Sequence, residues 1–314
     1  AAGYALIAYQ TAYLKTHFPE EFLVSSMNLS INKTENLVMY KKEINELNIS
    51  FLKPDINSSK TEFSIEINSN GKKSIRFGLA AIKGVGYNAM ENLVKERKKN
   101  GNYKDIIDFI SRLETDVINK KQLEKLIQSG AFDLIEDNRA FLFKNVTNLI
   151  MISNTLNKNN NQSTLFGSIN NNSEFLRNLE KINDWPLLKK LQFELETIGF
   201  YFSQHPLSLY SKEVFKLLDI YSYKKISEDY NCIRAKVVGS ILDIKERTSK
   251  DGNKYAFITI SDIDYQYDLT IFGDVFRRYK DIISEGNVLV FSIDISSRDG
   301  SNRRFIIREI DFLE

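Results

Sequence analysis

Phe77-Gly78-Leu79-Ala80-Ala81-Ile82-Lys83-Gly84-Val85-Gly86 places a glycine turn between two short apolar helical patterns. Glycine takes positive φ without steric cost and lets backbone N–H groups approach a surface that side chains would otherwise block. Beyond the turn Tyr87, Met90, Leu93 and Val94 recur at helical spacing, with Lys95, Arg97, Lys98 and Lys99 among and behind them. This is the pattern of a helix-hairpin-helix, in which the turn and the following helix N-terminus offer donors to a nucleic-acid phosphate. On these residues alone an ordinary glycine-containing link between two helices is an equally good reading.

Working outward, the charge distribution favours the first reading. The 314 residues carry a formal charge of only +2. Residues 71–130 nevertheless hold 13 lysines and arginines against 7 carboxylates, whereas residues 230–314 hold 13 against 14. The basic surface therefore gathers around the glycine turn, as phosphate contact would require. The bulk composition, 42% apolar and 27% charged with a mean hydropathy of −0.31, is that of a globular protein long enough for two or three cores. No apolar run approaches the roughly 20 residues of a membrane span, and no signal-peptide pattern opens the chain. A single cysteine, Cys232, excludes an internal disulfide and suits a reducing cytoplasm. With only His17 and His205 beside it, a Cys/His metal site is excluded by count. The chain opens Ala1-Ala2-Gly3 in helical spacing and without methionine, as a piece of a longer protein would.

Three helices are expected first: Tyr4–Thr16, one beginning near Pro19, and one opened by Asn32-Lys33-Thr34-Glu35 with Thr34 as its cap. Strands follow at Ile49–Lys53, Phe63–Ile67 and Ile75–Gly78, the last two pairing across Asn68-Ser69-Asn70-Gly71. After the glycine turn come short helices at Tyr103–Leu113 and Asn119–Gln128. Ser129-Gly130 then caps what reads as a degenerate second hairpin unit. One longer amphipathic helix is expected over Arg139–Leu156.

Residues 157–172 include seven asparagines, too polar a stretch for a core. Gln162-Ser163-Thr164-Leu165-Phe166 lies inside it. Leu165 and Phe166 either tuck back onto the domain or plug a hydrophobic pocket on a partner, with Gln162 at the rim. Residues 174–216 are helical again. His205, before Pro206, suits a structural hydrogen bond, and Trp185 suits a core anchor. From about Asn231 the period changes to two: strands at Cys232–Glu246, Lys254–Ser261, Tyr265–Phe272, Val288–Ile295 and Arg303–Phe312, with a helix at Phe276–Ile283. Five strands with a helix between the third and fourth is the order of an OB-fold barrel. Such barrels hold single-stranded nucleic acid on a basic, aromatic face; Arg247, Lys254, Tyr255 and Arg298 are the candidates, with Phe257 either among them or in the core.

Taken in order, these motifs resemble the C-terminal part of the bacterial DNA polymerase III alpha subunit family, over essentially the whole chain. The resemblance is carried by Ala2-Gly3-Tyr4-Ala5-Leu6-Ile7-Ala8-Tyr9-Gln10-Thr11-Ala12-Tyr13-Leu14-Lys15, by Leu52-Lys53-Pro54-Asp55-Ile56-Asn57 and by Gly78–Gly86. It continues through Leu123–Asp133, Gln162–Gly167 and Thr197-Ile198-Gly199-Phe200-Tyr201-Phe202-Ser203-Gln204-His205-Pro206-Leu207. It implies a multidomain α+β chain: the end of a fingers domain (1–70), a tandem helix-hairpin-helix domain (71–156), an Asn-rich loop with a clamp-binding motif (157–173), a helical connector (174–229) and a five-stranded OB barrel (230–314). It implies duplex-backbone contacts at Lys83, Gly84, Val85, Gly86, Lys120 and Lys121, and sliding-clamp contacts at Gln162, Leu165 and Phe166. Single-stranded template would meet Arg247, Lys254, Tyr255 and Arg298, and Tyr4 would lie near the incoming nucleotide. Double-stranded DNA, single-stranded DNA, the sliding clamp and other replicase subunits are the implied partners, in the cytoplasm and without a membrane.

Polymerases of this kind hold two Mg²⁺ ions on palm carboxylates. The resemblance places that palm outside this sequence, so no catalytic residue, metal ligand or cofactor is expected here; Asp105 and Asp108 read as a solvated helix face. The fragment is expected to bind DNA and clamp without synthesising DNA. The alternatives are a free-standing repair or recombination adaptor made of the same modules and, less well matched, a tRNA-binding OB domain.

Overall fold

Leu52-Lys53-Pro54-Asp55-Ile56-Asn57 leaves a strand and turns at once, because proline cannot donate to a ladder and Asp55 folds its carboxylate back onto the chain. Asp55 Oδ1 accepts the N–H groups of Asn57 (3.0 Å) and Ser58 (2.6 Å), and the Asp55 N–H donates to Ser59 Oγ. Much of the first half of the chain is fastened to this turn. The computed structural model describes residues 2–113, 118–161, 179–249, 252–263, 265–298 and 302–313, with side chains at all of these except 156–161, 297, 298 and 302. The chain divides into two units, Ala1–Gly199 and Phe200–Glu314.

The first unit opens with α1 (Ala2–His17), α2 (Pro19–Leu29) and α3 (Thr34–Glu46). No side chain of α1 is buried, whereas α2 and α3 bury Leu23, Met27, Leu37 and Ile44. Thr34 is the first helical residue, not a cap; Lys33 precedes it and no side chain caps the helix. A small sheet follows: β1 (Ser50–Leu52), β2 (Ser64–Ile67) and β3 (Lys73–Arg76), in the order β1-β3-β2. The β2–β3 hairpin is as expected, with Ile65 opposite Ile75; the parallel pairing of β1 with β3 is additional. Phe77 leaves β3 into the core, edge-on to Phe63 at 4.9 Å. After a single 3₁₀ turn at Leu79–Ala81 come α4 (Tyr87–Asn100), α5 (Ile106–Ser111), α6 (Lys120–Gln128), α7 (Arg139–Lys144), α8 (Val146–Asn161) and α9 (Leu187–Ile198).

The helix expected over 139–156 breaks at Asn145, whose amide donates to the Phe141 and Glu180 carbonyls and accepts the Glu180 N–H. Asp105 caps α5 by accepting the Asp108 N–H, and Asp108 accepts from Lys104 N–H and Arg112. The pair fixes a helix end, with Asp105 exposed to solvent as expected and Asp108 half-buried.

The Asp55 turn binds these parts together. Arg97, buried on α4, donates to the carbonyls of Ile56 and Ser59. Ile56 N–H reaches Ala131 of the second hairpin (2.7 Å), Asn57 exchanges two bonds with the Tyr103 backbone, and Ser59 Oγ donates to Phe77. A second buried knot joins α7 and α9. Arg139 forks onto Asp133 (2.8 and 2.7 Å) and touches Glu194 (3.3 Å); Lys53 also reaches Asp133 (3.2 Å).

In the second unit β4 (Arg234–Thr248), β5 (Lys254–Ser261), β6 (Gln266–Phe272), β7 (Val288–Arg298) and β8 (Asn302–Phe312) close a barrel in the order β4-β5-β6-β8-β7. The connection from the third strand to the fourth carries α12 (Gly273–Tyr279), and the third and fifth strands pair in parallel at Thr270 and Ile306. Ile258, Ile260, Leu269, Ile271, Phe291 and Ile293 fill the interior. Residues 200–229, expected to be part of a connector, belong with the barrel. Leu207 packs on Val238 and Val290, Ile220 bridges to Lys236, and α11 (Tyr223–Glu228) buries Ile226 in the barrel core. A further short helix, α10 (Lys212–Leu217), lies between.

Two outcomes follow. Arg97→Met leaves two buried carbonyls without donors, which costs about 2–4 kcal/mol; urea unfolding of the first unit will show it, and the barrel transition will stay in place. Burial holds the Lys41 ammonium down to about pKa 8 against an opposing pull from Glu194. A lysine pKa depressed in the folded state means that the unfolded chain binds more protons between about pH 8 and 10.5, so this group makes stability rise with pH across that window. Lys41→Met removes that rise and stabilises the unit at pH 7, read as the difference between midpoints at pH 7 and 10.

Candidate nucleic-acid interface

The glycine turn is built by the segment before it. Leu79 and Ala80 donate their N–H groups to the Lys60 and Thr61 carbonyls, tethering the 3₁₀ turn that Ala81 and Ile82 close by donating to Gly78 and Leu79. Gly84 then takes φ +85°, and Gly86, in extended conformation, starts α4. No side chain caps α4 and no acid lies in its first turn. The N–H groups of its first residues therefore stand at a positive helix end with no intrahelical partner. Lys83, Gly84, Tyr87 and Asn88 are exposed around it.

The turn rests on α6. A Cβ at Gly84 would lie 3.4 Å from Lys125 Cγ, and one at Gly86 3.1 Å from Gln122 Nε2. Gln122 belongs to the first turn of α6, where Asn119 and Gln122 form a reciprocal capping box. Two helix N-termini thus converge, with Lys120 and Lys121 exposed at the second and Lys125 beside the first. Lys120 shares its charge with Glu124 at 4.0 Å. Gln122 and Lys125 were not singled out in the sequence. The signal for Lys125 was its helical spacing of four from Lys121, which puts the two on one face.

Not every predicted donor is available. The Lys83 N–H donates to the Thr197 carbonyl (2.8 Å) and that of Val85 to Ile82 (3.3 Å), so the turn's contribution comes from Gly84, Gly86 and the α4 terminus. The second hairpin differs more. Gly130 also has positive φ, but it is buried and the Arg139 guanidinium lies over it, 2.2 Å from where a Cβ would sit. That glycine makes room for the Arg139–Asp133 pair, not for a ligand.

On the barrel, inner and outer residues alternate as the pleat dictates. Ala256, Ile258 and Ile260 point inward on β5, and Tyr255 and Phe257 outward; Phe272 is outward on β6. Phe257 is 40% exposed and Phe272 48%, so Phe257 is surface, not core. Tyr255 stacks on Phe272 (5.8 Å, 29°) and meets Phe257 edge-on (5.6 Å, 80°). Register places Arg247 opposite Tyr255, Thr248 opposite Lys254 and Lys245 opposite Phe257. Arg247 and Tyr255 therefore share one face, and Phe257, Phe272 and Lys245 extend it. Lys254, expected on the same face, lies beside Thr248 on the other side of the ladder, because consecutive strand residues point opposite ways. Arg298 ends β7 opposite Asn302, with its side chain outside the described residues. Gln162, Leu165 and Phe166 lie outside the described residues altogether. Tyr4 is exposed on α1, a helix that buries none of its side chains. His205 accepts the Leu207 N–H at Nδ1, the structural bond expected; Trp185 packs with Phe143 and Phe193.

A glycine turn leading into an uncapped helix, and a closed five-stranded barrel whose third and fifth strands run parallel, define a protein made of helix-hairpin-helix and OB-fold parts. The family model described as "Helix-hairpin-helix motif" matches residues 48–142. Along its length the chain is 36% identical to the DNA polymerase III subunit alpha of Borreliella burgdorferi (92% of this chain, 25% of that protein) and 34% identical to that of Campylobacter jejuni (100% and 26%). By that likeness the chain belongs with the DNA polymerase III alpha subunit family, and it spans about a quarter of the length of the curated relatives it matches. Among solved structures, the mitochondrial single-stranded DNA binding protein Rim1 of S. cerevisiae aligns at 19% identity over 26% of this chain and 94% of its own, with a TM-score of 0.24. The barrel's strand order, not that overlap, defines its fold.

If the outer face stacks bases, Phe257→Ala with Phe272→Ala will weaken binding of single-stranded DNA by roughly tenfold or more, since base stacking on an aromatic contributes about 1–3 kcal/mol. Both side chains are exposed, so the barrel will keep its melting temperature. Unchanged affinity for an oligothymidine in a fluorescence titration would remove this face from consideration.

Proposed function

We propose that this chain is the DNA-holding part of a replicative polymerase alpha subunit, gripping duplex DNA by its phosphate backbone at the glycine turn and single-stranded template on the aromatic barrel face. The observation that supports it best is the convergence of the α4 and α6 N-termini on one exposed turn, with Lys83, Lys121 and Lys125 around it. Backbone N–H groups and lysines read phosphate without reading sequence, as a protein that must hold any product duplex requires. Nucleotidyl transfer would use Mg²⁺ held by carboxylates in another part of the longer protein. Among the described residues no group of three or more His, Cys, Asp or Glu is placed to hold a metal ion.

Clamp binding through Gln162, Leu165 and Phe166, contact with other replicase subunits and a cytoplasmic site of action are part of the same proposal, supported by the sequence motif and the family. Among the described residues no helix is long and apolar enough to cross a membrane.

One experiment tests the parts separately: titration of the chain against a DNA duplex, a single-stranded oligonucleotide and purified clamp. Gly84→Val with Gly86→Val will weaken duplex binding and leave the barrel transition unchanged, and duplex affinity will fall steeply with salt. Leu165→Ala with Phe166→Ala will abolish clamp binding, since buried anchors typically carry about 2 kcal/mol or more each. A flat salt series would sink the backbone reading, and clamp affinity indifferent to the last pair would sink the clamp reading.

A further inference from the structure

The hairpin surface holds a side chain, with no lysine or arginine paired to it among the ion pairs of the described residues, whose charge opposes the ligand proposed for it. Glu62 lies directly against the start of the hairpin. A Cβ at Gly78 would come within 2.4 Å of the Glu62 carbonyl carbon and 2.8 Å of its Cα, so Gly78 can only be glycine while Glu62 is where it is. The residues on either side are pinned. Thr61 gives its carbonyl to the Ala80 N–H (2.9 Å), and Phe63 exchanges both backbone groups with the Asn28 side chain (2.9 and 3.1 Å). The Glu62 backbone therefore has no freedom to move away from the turn. Its exposed carboxylate accepts the hydroxyl of Tyr87, the first residue of α4, at 2.9 Å. That bond holds the Tyr87 phenol above its ordinary pKa, so the hydroxyl remains a donor.

A carboxylate is the side chain closest to a phosphate in charge and in hydrogen-bonding habit. Here it takes a hydroxyl donor beside the open α4 terminus. The other nearby acid, Glu91 on the next turn of α4, is paired with Lys95 at 3.1 Å. We infer that Glu62 is a built-in competitor for the hairpin's phosphate: Tyr87 is a further phosphate-contacting residue, engaged by Glu62 in the free chain and handed to the DNA backbone on binding. Displacing Glu62 costs part of the binding free energy and leaves a negative charge beside the bound phosphate. Both effects loosen the grip, which suits a surface that must release product duplex as it advances. The inference rests on the hairpin reading above.

The test is a fluorescence-anisotropy titration of a labelled DNA duplex with the 314-residue chain at fixed low salt. Glu62→Gln will tighten binding about threefold or more, as loss of one like charge at the rim of an interface should. Glu91→Gln, the same charge change one turn along, will have the smaller effect. Tyr87→Phe will weaken binding about twofold or more, alone and in the Glu62→Gln background, because a donor to phosphate is gone. All three side chains are on the surface, and circular dichroism melts will coincide with the parent chain. Glu62→Gln no tighter than Glu91→Gln, or Tyr87→Phe without effect in both backgrounds, overturns the competitor while the hairpin reading stands. Duplex binding indifferent to the Gly84→Val and Gly86→Val pair removes the hairpin reading, and the competitor with it.

Discussion

The hydrogen bonds that Arg97 sends from α4 into the Asp55 turn are the constraint on which the first unit depends. A buried guanidinium is tolerated only when its donors are satisfied, and the two carbonyls it meets are fixed by Asp55 and Ser59. The axis and rotation of α4 follow from that, and so does the place of its open N-terminus. Because Ile56 of the same turn donates to Ala131, the second hairpin is held by it too. Leu52–Asn57 touches no proposed ligand; it sets where the ligand-facing parts stand.

The two hairpins show how one sequence feature serves two ends. Gly84 and Gly130 both sit at positive φ after an apolar helical segment. Around Gly84 there is space, with only the Lys125 methylenes near; around Gly130 there is an arginine bonded to two carboxylates. The first glycine exposes backbone, and the second makes room for an ion pair. A buried pair of this kind is weak support for stability but strongly penalises loss of either partner. It therefore specifies how α7 and α9 dock on the second hairpin.

Features set by local pattern were legible in the sequence. The Asn68–Gly71 hairpin, the glycine turn, the barrel's five strands and the alternation that sets Tyr255 with Phe257 and apart from Lys254 all follow from nearest-neighbour chemistry. What escaped depends on distant partners. Nothing in Arg139–Leu156 announces a break; Asn145 makes one because Glu180, 35 residues on, offers both its backbone groups. Phe257 was ambiguous because an alternating strand does not say which of its faces is inside. Its neighbours Ala256 and Ile258 settle the matter only once the barrel closes. Residues 200–229 carry no strand pattern of their own, so their attachment to the barrel, through Ile220 on Lys236 and Ile226 in its core, could not be read locally.

The commitment of donors at the glycine turn bears on how strongly it can hold a phosphate. The Lys83 N–H, which the sequence would assign to the ligand, belongs to Thr197 at the end of α9. That carbonyl is one of the last in its helix and would otherwise lack a partner. Gly199, at φ +96°, then reverses the chain where a Cβ would strike Thr34 Cγ2 at 2.2 Å and approach Lys83 Nζ at 3.5 Å. Three segments far apart in sequence, at the α3 start, the hairpin and the α9 end, thus share one junction. The junction removes a donor from the ligand and fixes the turn in return. A turn with fewer donors, rigidly placed beside a second helix terminus, gives a contact of modest strength and fixed geometry. On the proposed reading, binding assembled from several such contacts would be surrendered one at a time, so a duplex could advance without being let go.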